Sequence, residues 1–171
     1  MRATAVAEIR TPKLKTLRAL IPIVQRVRRR GGRVVLANGC FDLIHVGHVR
    51  YLQAARRLGD LLIVALNSDR SVRRLKGRQR PYMPQAQRAG IVAAFDGVDY
   101  VTVFDSDTVT PLLQALHPEV HAKGGDYTED TVPERDVVRA YGGRVAIAGG
   151  AKVRSTRDLA ARIRRRYGRK A

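Results

Sequence analysis

The chain has 171 residues, with 33 Lys and Arg against 15 Asp and Glu for a formal net charge of +18, a length that suits one compact α/β domain with short extensions. At 44% hydrophobic and 28% charged residues it is not a disordered chain, and its longest apolar run, about six residues around Leu61–Leu66, falls far short of the roughly 20 that a membrane span needs. No apolar run precedes a small-residue cleavage site near the N-terminus, and the lone Cys40 cannot build a disulfide framework or a multi-cysteine zinc site, so a cytoplasmic, soluble protein is expected.

Residues 1–31 read as a basic N-terminal extension. In it Leu14, Leu17, Leu20, Ile21, Val24 and Val27 fall at helical spacing, which predicts an amphipathic helix stopped by Gly31-Gly32. Short β-rich runs then alternate with helical patterns over residues 32–166. Arg33–Ala37 reads as a strand, Gly47–Leu58 as a helix, and Leu61–Leu66 as a second strand. Ser68–Arg74 reads as a short helix, Leu75–Met83 as a basic loop, and Pro84–Phe95 as a helix. The strand Tyr100–Phe104, helix Thr108–Leu116, strand Val120–Ala122, helix Pro133–Tyr141, strand Arg144–Ala148 and helix Ser155–Arg166 follow, with a basic tail over 167–171. Such alternation predicts an α/β fold with a doubly wound, Rossmann-like parallel sheet in one domain.

Of the 33 basic residues 27 are Arg, concentrated near both ends, in Arg26, Arg28, Arg29 and Arg30 and again from Arg162 to Lys170. Patches of this kind suit nucleic acid, an anionic membrane surface or phosphorylated small molecules, while the plainer reading is a set of solvated faces. The apolar stripe of the lead-in helix needs a cover, which a second copy of the chain would supply, so a homodimer is expected.

In doubly wound sheets ligands bind beyond the carboxyl ends of the strands. The first strand here runs into Asn38-Gly39-Cys40-Phe41-Asp42-Leu43-Ile44-His45-Val46-Gly47-His48, which is neither a Walker loop nor GxGxxG. Gly39 is expected at a tight turn that exposes backbone N–H groups. His45 and His48, three apart at a helix start, can share one face, and Gly47 between them lets a ligand approach the backbone. A helix N-terminus attracts phosphate, and two imidazoles there add donors for phosphate oxygens as charge builds. With no third ligand nearby, no protein metal site is expected. Ser155 suits an N-cap of the last helix, and Thr156 adds a hydroxyl for a second phosphate.

The Asn-Gly-Cys-Phe-Asp…His-Val-Gly-His stretch, with Arg154-Ser155-Thr156 opening the last helix, resembles the signature of the cytidylyltransferase-like nucleotidyltransferases. Within that superfamily the chain is similar to the heptose 1-phosphate adenylyltransferase group over about Gly32–Ile163. The segments that carry the likeness are Ala65-Leu-Asn-Ser-Asp69, Ser71-Val-Arg-Arg-Leu-Lys-Gly77, Arg80-Pro81, Arg88, Ala122-Lys-Gly-Gly-Asp-Tyr127 and Tyr141-Gly-Gly143. Departures are Gly90 within a helix and the unusual Gly149-Gly-Ala-Lys-Val-Arg154 ahead of Ser-Thr. Bifunctional members of the group also carry a sugar kinase, so a separate heptose kinase is expected upstream.

The resemblance implies transfer of AMP from ATP to a sugar 1-phosphate. It gives His45, His48 and Lys76 catalytic roles, and Asn38, Gly39, Cys40, Phe41, Gly47, Arg154, Ser155 and Thr156 contacts to the nucleotide. It gives Asp42, Arg80, Arg88, Lys123 and Asp126 contacts to the acceptor, with the Asp carboxylates on sugar hydroxyls and the Lys on phosphate. Mg²⁺ would arrive with ATP, held by phosphate oxygens and water. The HxGH element is shared by enzymes that act on other acceptors, so FMN adenylylation and CTP-dependent activation of glycerol phosphate remain competing readings. A basic nucleic-acid-binding protein on the same scaffold is a third. His117, His121 and Tyr141 are expected to carry no chemistry.

Overall fold

A computed structural model of the protein describes residues 11–150 and 156–167. Five strands, β1 (Val34–Gly39), β2 (Leu61–Asn67), β3 (Tyr100–Phe104), β4 (Val120–Gly124) and β5 (Arg144–Ala148), form one sheet in the order β3-β2-β1-β4-β5. All neighbours are parallel. Every residue of β2 is buried, and Val34–Ala37 of β1 are equally enclosed. Such near-continuous apolar strands fit a sheet covered on both faces. The expected doubly wound, Rossmann-like architecture is present.

Strand alternation sorts the core into two layers. Val35, Ala37, Leu62, Val64 and Leu66 face α2 (Val46–Arg56) and α4 (Gln85–Ala93), whose Leu52, Ala55, Ala89 and Val92 fill that side. Val34, Leu36, Leu61 and Ile63 face α1 (Leu17–Arg29), α5 (Thr110–Leu116) and α6 (Arg135–Ala140). The remaining helices are α3 (Asp69–Lys76) and α7 (Thr156–Tyr167), with a 3-10 turn at Glu129–Thr131 before α6. Among the described residues no helix is long and apolar enough to cross a membrane.

The lead-in helix is a layer of the domain itself. Thr16 caps α1 by accepting from the Ala19 N–H, and Leu20 and Val24 are fully buried against the sheet and α5. Each such burial contributes about 2 kcal/mol, enough to outweigh the ladder bond lost at Pro22. Arg28 on α1 donates to the Glu119 carboxylate at 2.5 Å, and that carboxylate accepts from Val34 N at 2.8 Å, tying helix to sheet. The stripe that suggested a second copy is therefore covered within one chain.

Two strands and one helix run two residues further than the sequence suggests. Asn38 and Gly39 look like turn residues, yet they stay in β1 because they pair with Ala65 and Leu66 of β2. Lys123 and Gly124 likewise extend β4 along β5. Lys76, expected in a loop, is the last residue of α3, and Gly77 follows with φ +96°.

From β1 the chain winds to β2 and β3, then crosses back to β4 and β5, so the order reverses between β1 and β4. In such sheets the ligand crevice lies at this switch, beyond the strands' carboxyl ends. Arg88 of α4 pins the loops that border it. Its side chain is wholly buried, and it donates from Nε to Met83 O (2.9 Å), from Nη1 to Cys40 O (2.5 Å) and from Nη2 to Asp69 Oδ1 (2.8 Å). On the other side of the crevice Gly149 follows β5 with φ +90°, and a Cβ there would lie 2.9 Å from the Tyr51 backbone in α2.

Replacing Arg88 with Met leaves a carboxylate and two carbonyls without their donor. The expected loss is about 3 kcal/mol, read as a lower denaturant midpoint at unchanged slope. Gly149→Ala adds both a left-handed penalty and a backbone clash, and is expected to cost about 2 kcal/mol or more in the same measurement.

Candidate active site

The site is built on the turn from β1 into α2. Phe41 takes φ +46°, a left-handed conformation that costs a non-glycine residue about 1–3 kcal/mol. Packing offsets the strain: Phe41 is buried, stacked on Tyr51 at 6.4 Å and tilted against His48 at 5.2 Å. The left-handed residue is thus Phe41 and not Gly39. Gly39 is needed for another reason, since a Cβ there would sit 3.1 Å from the Phe41 ring.

His45 is the N-cap of α2, a position that usually takes Ser, Thr, Asp or Asn. Its Nδ1 accepts from Gly47 N at 3.2 Å, while Nδ1 of His48 reaches back to His45 N at 3.3 Å. The two rings stack 3.9 Å apart. A ring nitrogen that accepts a hydrogen bond carries no proton, so both neutral imidazoles hold theirs on Nε2. Burial, then the neighbouring His45 and Lys76, pushes the His48 pKa down to about 4. At neutral pH His48 is therefore an uncharged N–H donor, set at a helix N-terminus where anions are favoured.

Burial raises the Cys40 thiol pKa, which disfavours the thiolate. The Cys40 carbonyl serves Arg88 and its Sγ lies 3.8 Å from Asn67 Oδ1. Lys76 is exposed at the end of α3 and within electrostatic reach of Cys40 and His48. Arg80 lies 2.9 Å from the Asp42 carboxylate in an ionic contact, with its guanidinium over the Tyr82 ring. Asp126 is exposed beyond β4 and also acts on His48. Thr156 opens α7, buried, with its hydroxyl 3.4 Å from Leu43 O, which brings the start of the last helix against the HxGH turn. Arg154 and Ser155 lie outside the described residues.

Three expected acceptor contacts have other work. Asp42 is 1% exposed and accepts from Tyr82 N (2.8 Å) and Met83 N (3.1 Å), so it clamps the loop before α4 where sugar hydroxyls were expected. Arg88 is sealed inside and reaches no crevice. Lys123 does stand at the switch, but its ammonium is already held by Glu134 (3.3 Å), Asn38 Oδ1 (3.2 Å) and the face of Tyr127 (4.8 Å).

The sequence reading passed over Tyr51 and Glu134, and expected no chemistry of His121. The Tyr51 hydroxyl donates to Ala122 O at 2.7 Å and accepts from Asn38 N at 3.3 Å, bridging the ends of β4 and β1. Burial raises its pKa. His121 is fully buried with Nε2 3.1 Å from Asn38 Oδ1, and burial lowers its pKa to about 3. One signal was readable: His121 and Lys123 are two apart on a strand and so share a face. Glu134, contributed from the start of α6, had none. Among the described residues no group of three or more His, Cys, Asp or Glu could hold a metal ion.

Comparison with known proteins bears on this geometry. The cytidylyltransferase-like family profile matches residues 36–159, from β1 into α7. The chain is 53% identical over 152 residues to Bifunctional protein HldE of Geotalea uraniireducens, covering 89% of this chain and 31% of that protein. It is 53% identical over 156 residues to Bifunctional protein HldE of Geobacter sulfurreducens, covering 91% and 32%. The chain thus spans about a third of the length of these relatives. A crystal structure of the lipopolysaccharide core biosynthesis protein from Thermoplasma volcanium superposes with a TM-score of 0.58 at 26% identity, over 68% of this chain and 94% of that one. With a match that takes in β1, both histidines and the start of α7, the chain belongs to the cytidylyltransferase-like family of nucleotidyltransferases.

Proposed function

We propose that this protein transfers the adenylyl group of ATP to the phosphate of heptose 1-phosphate, forming ADP-heptose and releasing pyrophosphate. The observation that carries the reading is the stacked pair His45 and His48 at the N-terminus of α2, whose Nδ1 atoms accept from the α2 backbone, which places their protons on Nε2. The heptose acceptor is supported by the resemblance in Lys123-Gly-Gly-Asp-Tyr127 and by the identity to the relatives above.

In the proposed reaction an oxygen of the acceptor phosphate attacks the α-phosphorus of ATP in line. The bond from that phosphorus to the bridging oxygen breaks, and pyrophosphate leaves with its electron pair. A phosphate oxygen is already a competent nucleophile at neutral pH, so no general base is required, and the protein's task is positioning and charge stabilisation. His45 and His48 donate to α-phosphate oxygens as charge concentrates there. Because His48 is neutral, it does so as a fixed dipole that needs no proton transfer. Lys76, and Arg80 through the nitrogens not turned to Asp42, balance the remaining phosphate charge. ATP enters as its Mg²⁺ complex. Asn38, Gly39, Cys40, Phe41, Gly47 and Thr156 border the nucleotide, and Arg154 and Ser155 are assigned to it by the family resemblance alone. Asp126 is the carboxylate left open for acceptor hydroxyls. The same reading puts the reaction in the cytoplasm, after a kinase that forms the acceptor's phosphate; with the lead-in stripe covered by the chain itself, a homodimer rests on the family resemblance alone.

The test is pyrophosphate release from ATP, CTP and GTP crossed with heptose 1-phosphate, glycerol 3-phosphate and FMN. The expected result is turnover with ATP and heptose 1-phosphate, and His48→Ala lowers kcat by about 10²- to 10³-fold. Turnover confined to another pair replaces the substrate, and silence across the panel, with binding to RNA or DNA that weakens steeply with salt, contradicts the enzyme reading.

A further inference from the structure

At the switch between β1 and β4 four polar side chains form one chain of contacts. Asn38 is the penultimate residue of β1, His121 and Lys123 share a face of β4, and Glu134 comes from the start of α6. Asn38 Oδ1 lies 3.1 Å from His121 Nε2 and 3.2 Å from Lys123 Nζ, and Lys123 Nζ lies 3.3 Å from Glu134 Oε2. Lys123 and Glu134 are 7% and 6% exposed.

The chemistry of these donors orients the amide without ambiguity. An ammonium can only donate, so the Asn38 atom beside Lys123 must be the carbonyl oxygen. His121 is neutral, since burial and then Lys123 lower its pKa to about 3. Its Nε2 therefore carries the proton toward that same oxygen, leaving Nδ1 as the bare, unpartnered acceptor. With Oδ1 bound by two donors, the Asn38 NH₂ group faces the other way. It makes no hydrogen bond to the described residues, and it stands at the carboxyl end of β1, beside the turn that carries His45 and His48.

Stability alone does not account for the charged pair beneath it. An apolar pair of the same volume is commonly as stable as a buried Lys–Glu pair or more so, because desolvation consumes the Coulombic gain. What the ions provide here is direction.

We propose that Glu134 is a positioning residue: it holds Lys123 against Asn38 and thereby fixes the Asn38 carboxamide with its N–H donors toward oxygens of the reacting phosphates. The effect on turnover rests on the nucleotidyl-transfer reading above; the orientation of the amide does not.

The test is a double-mutant cycle on kcat/KM with the productive substrate pair. Asn38→Asp keeps oxygen acceptors for Lys123 and His121 but removes the outward donors. Glu134→Gln keeps the shape and removes the charge that anchors Lys123. Each single variant is expected to lower kcat/KM by about 10- to 100-fold. In the Asn38→Asp background Glu134→Gln is expected to cost less than about twofold more, since no amide is left to orient. Wild-type kcat/KM in Glu134→Gln, or losses that multiply in the double variant, overturns the proposal. Should Glu134→Gln not fold, the apolar pair Lys123→Met with Glu134→Leu takes its place, expected to fold, to lose the same factor and to add little to Asn38→Asp; full activity overturns the proposal. If the wild-type chain turns over no pair, the enzyme reading fails and the amide is judged on its own. Asn38 and Asn67 are the chain's two asparagines, so the Asn38 side-chain ¹⁵N–¹H pair is identified by its loss in Asn38→Asp. A pair that moves or broadens in Glu134→Gln upholds the positioning, and an unchanged pair overturns it.

Discussion

Nδ1 of His45 and Nδ1 of His48 close the N-terminus of α2, and that closure decides what the opposite nitrogens can do. A helix start leaves N–H groups without partners, and most helices satisfy one with a hydroxyl or carboxylate. Here an imidazole does it twice, with Gly47 N and His45 N as the donors. Two consequences follow from one arrangement. Each ring is fixed in angle by its own backbone, and each is held in the tautomer that keeps a proton on Nε2. The Phe41 ring under His48 and the Tyr51 ring under Phe41 then set the depth of the pair. The left-handed Phe41 is tolerated because the contact it makes is the floor of the site.

Around that turn the protein uses its buried charges as braces. Arg88 gathers the Cys40 carbonyl, the Met83 carbonyl and the Asp69 carboxylate. Asp42 takes two N–H groups of the loop before α4 and lies against Arg80. Glu134 and Lys123 do the same beneath Asn38. A basic chain of net charge +18 thus places several of its few acidic groups where each orients a loop or a donor. Lys76 and the outer part of Arg80 stand near this turn and suit a polyanionic ligand.

The sequence was most informative where periodicity and motif agree. The sheet, its parallel winding and the two histidines at a helix start were all legible, because apolar strand runs and a His spacing of three are local patterns. The errors share one physical cause, which is tertiary pairing that no local rule contains. Asn38-Gly39 reads as a turn, but β2 supplies a ladder for it. Arg88, Asp42 and Lys123 are of residue types that bind phosphates and sugars, and each was taken by a partner remote in sequence. Asp42 meets residues 40 and 41 positions later, and Lys123 meets Asn38 across 85. His121 looked inert because its partner Asn38 lies on the neighbouring strand.

The account stands on the protonation of the two imidazoles, and ¹⁵N nuclear magnetic resonance of the four histidines through a pH titration reads it directly. It predicts bare Nδ1 and protonated Nε2 in both His45 and His48 at pH 7, with His48 gaining its second proton only near pH 4. Addition of the Mg²⁺ complex of ATP should then shift both Nε2–H signals. A proton on Nδ1 of either ring at pH 7, or a His48 that charges near the ordinary pH 6.5, would contradict it.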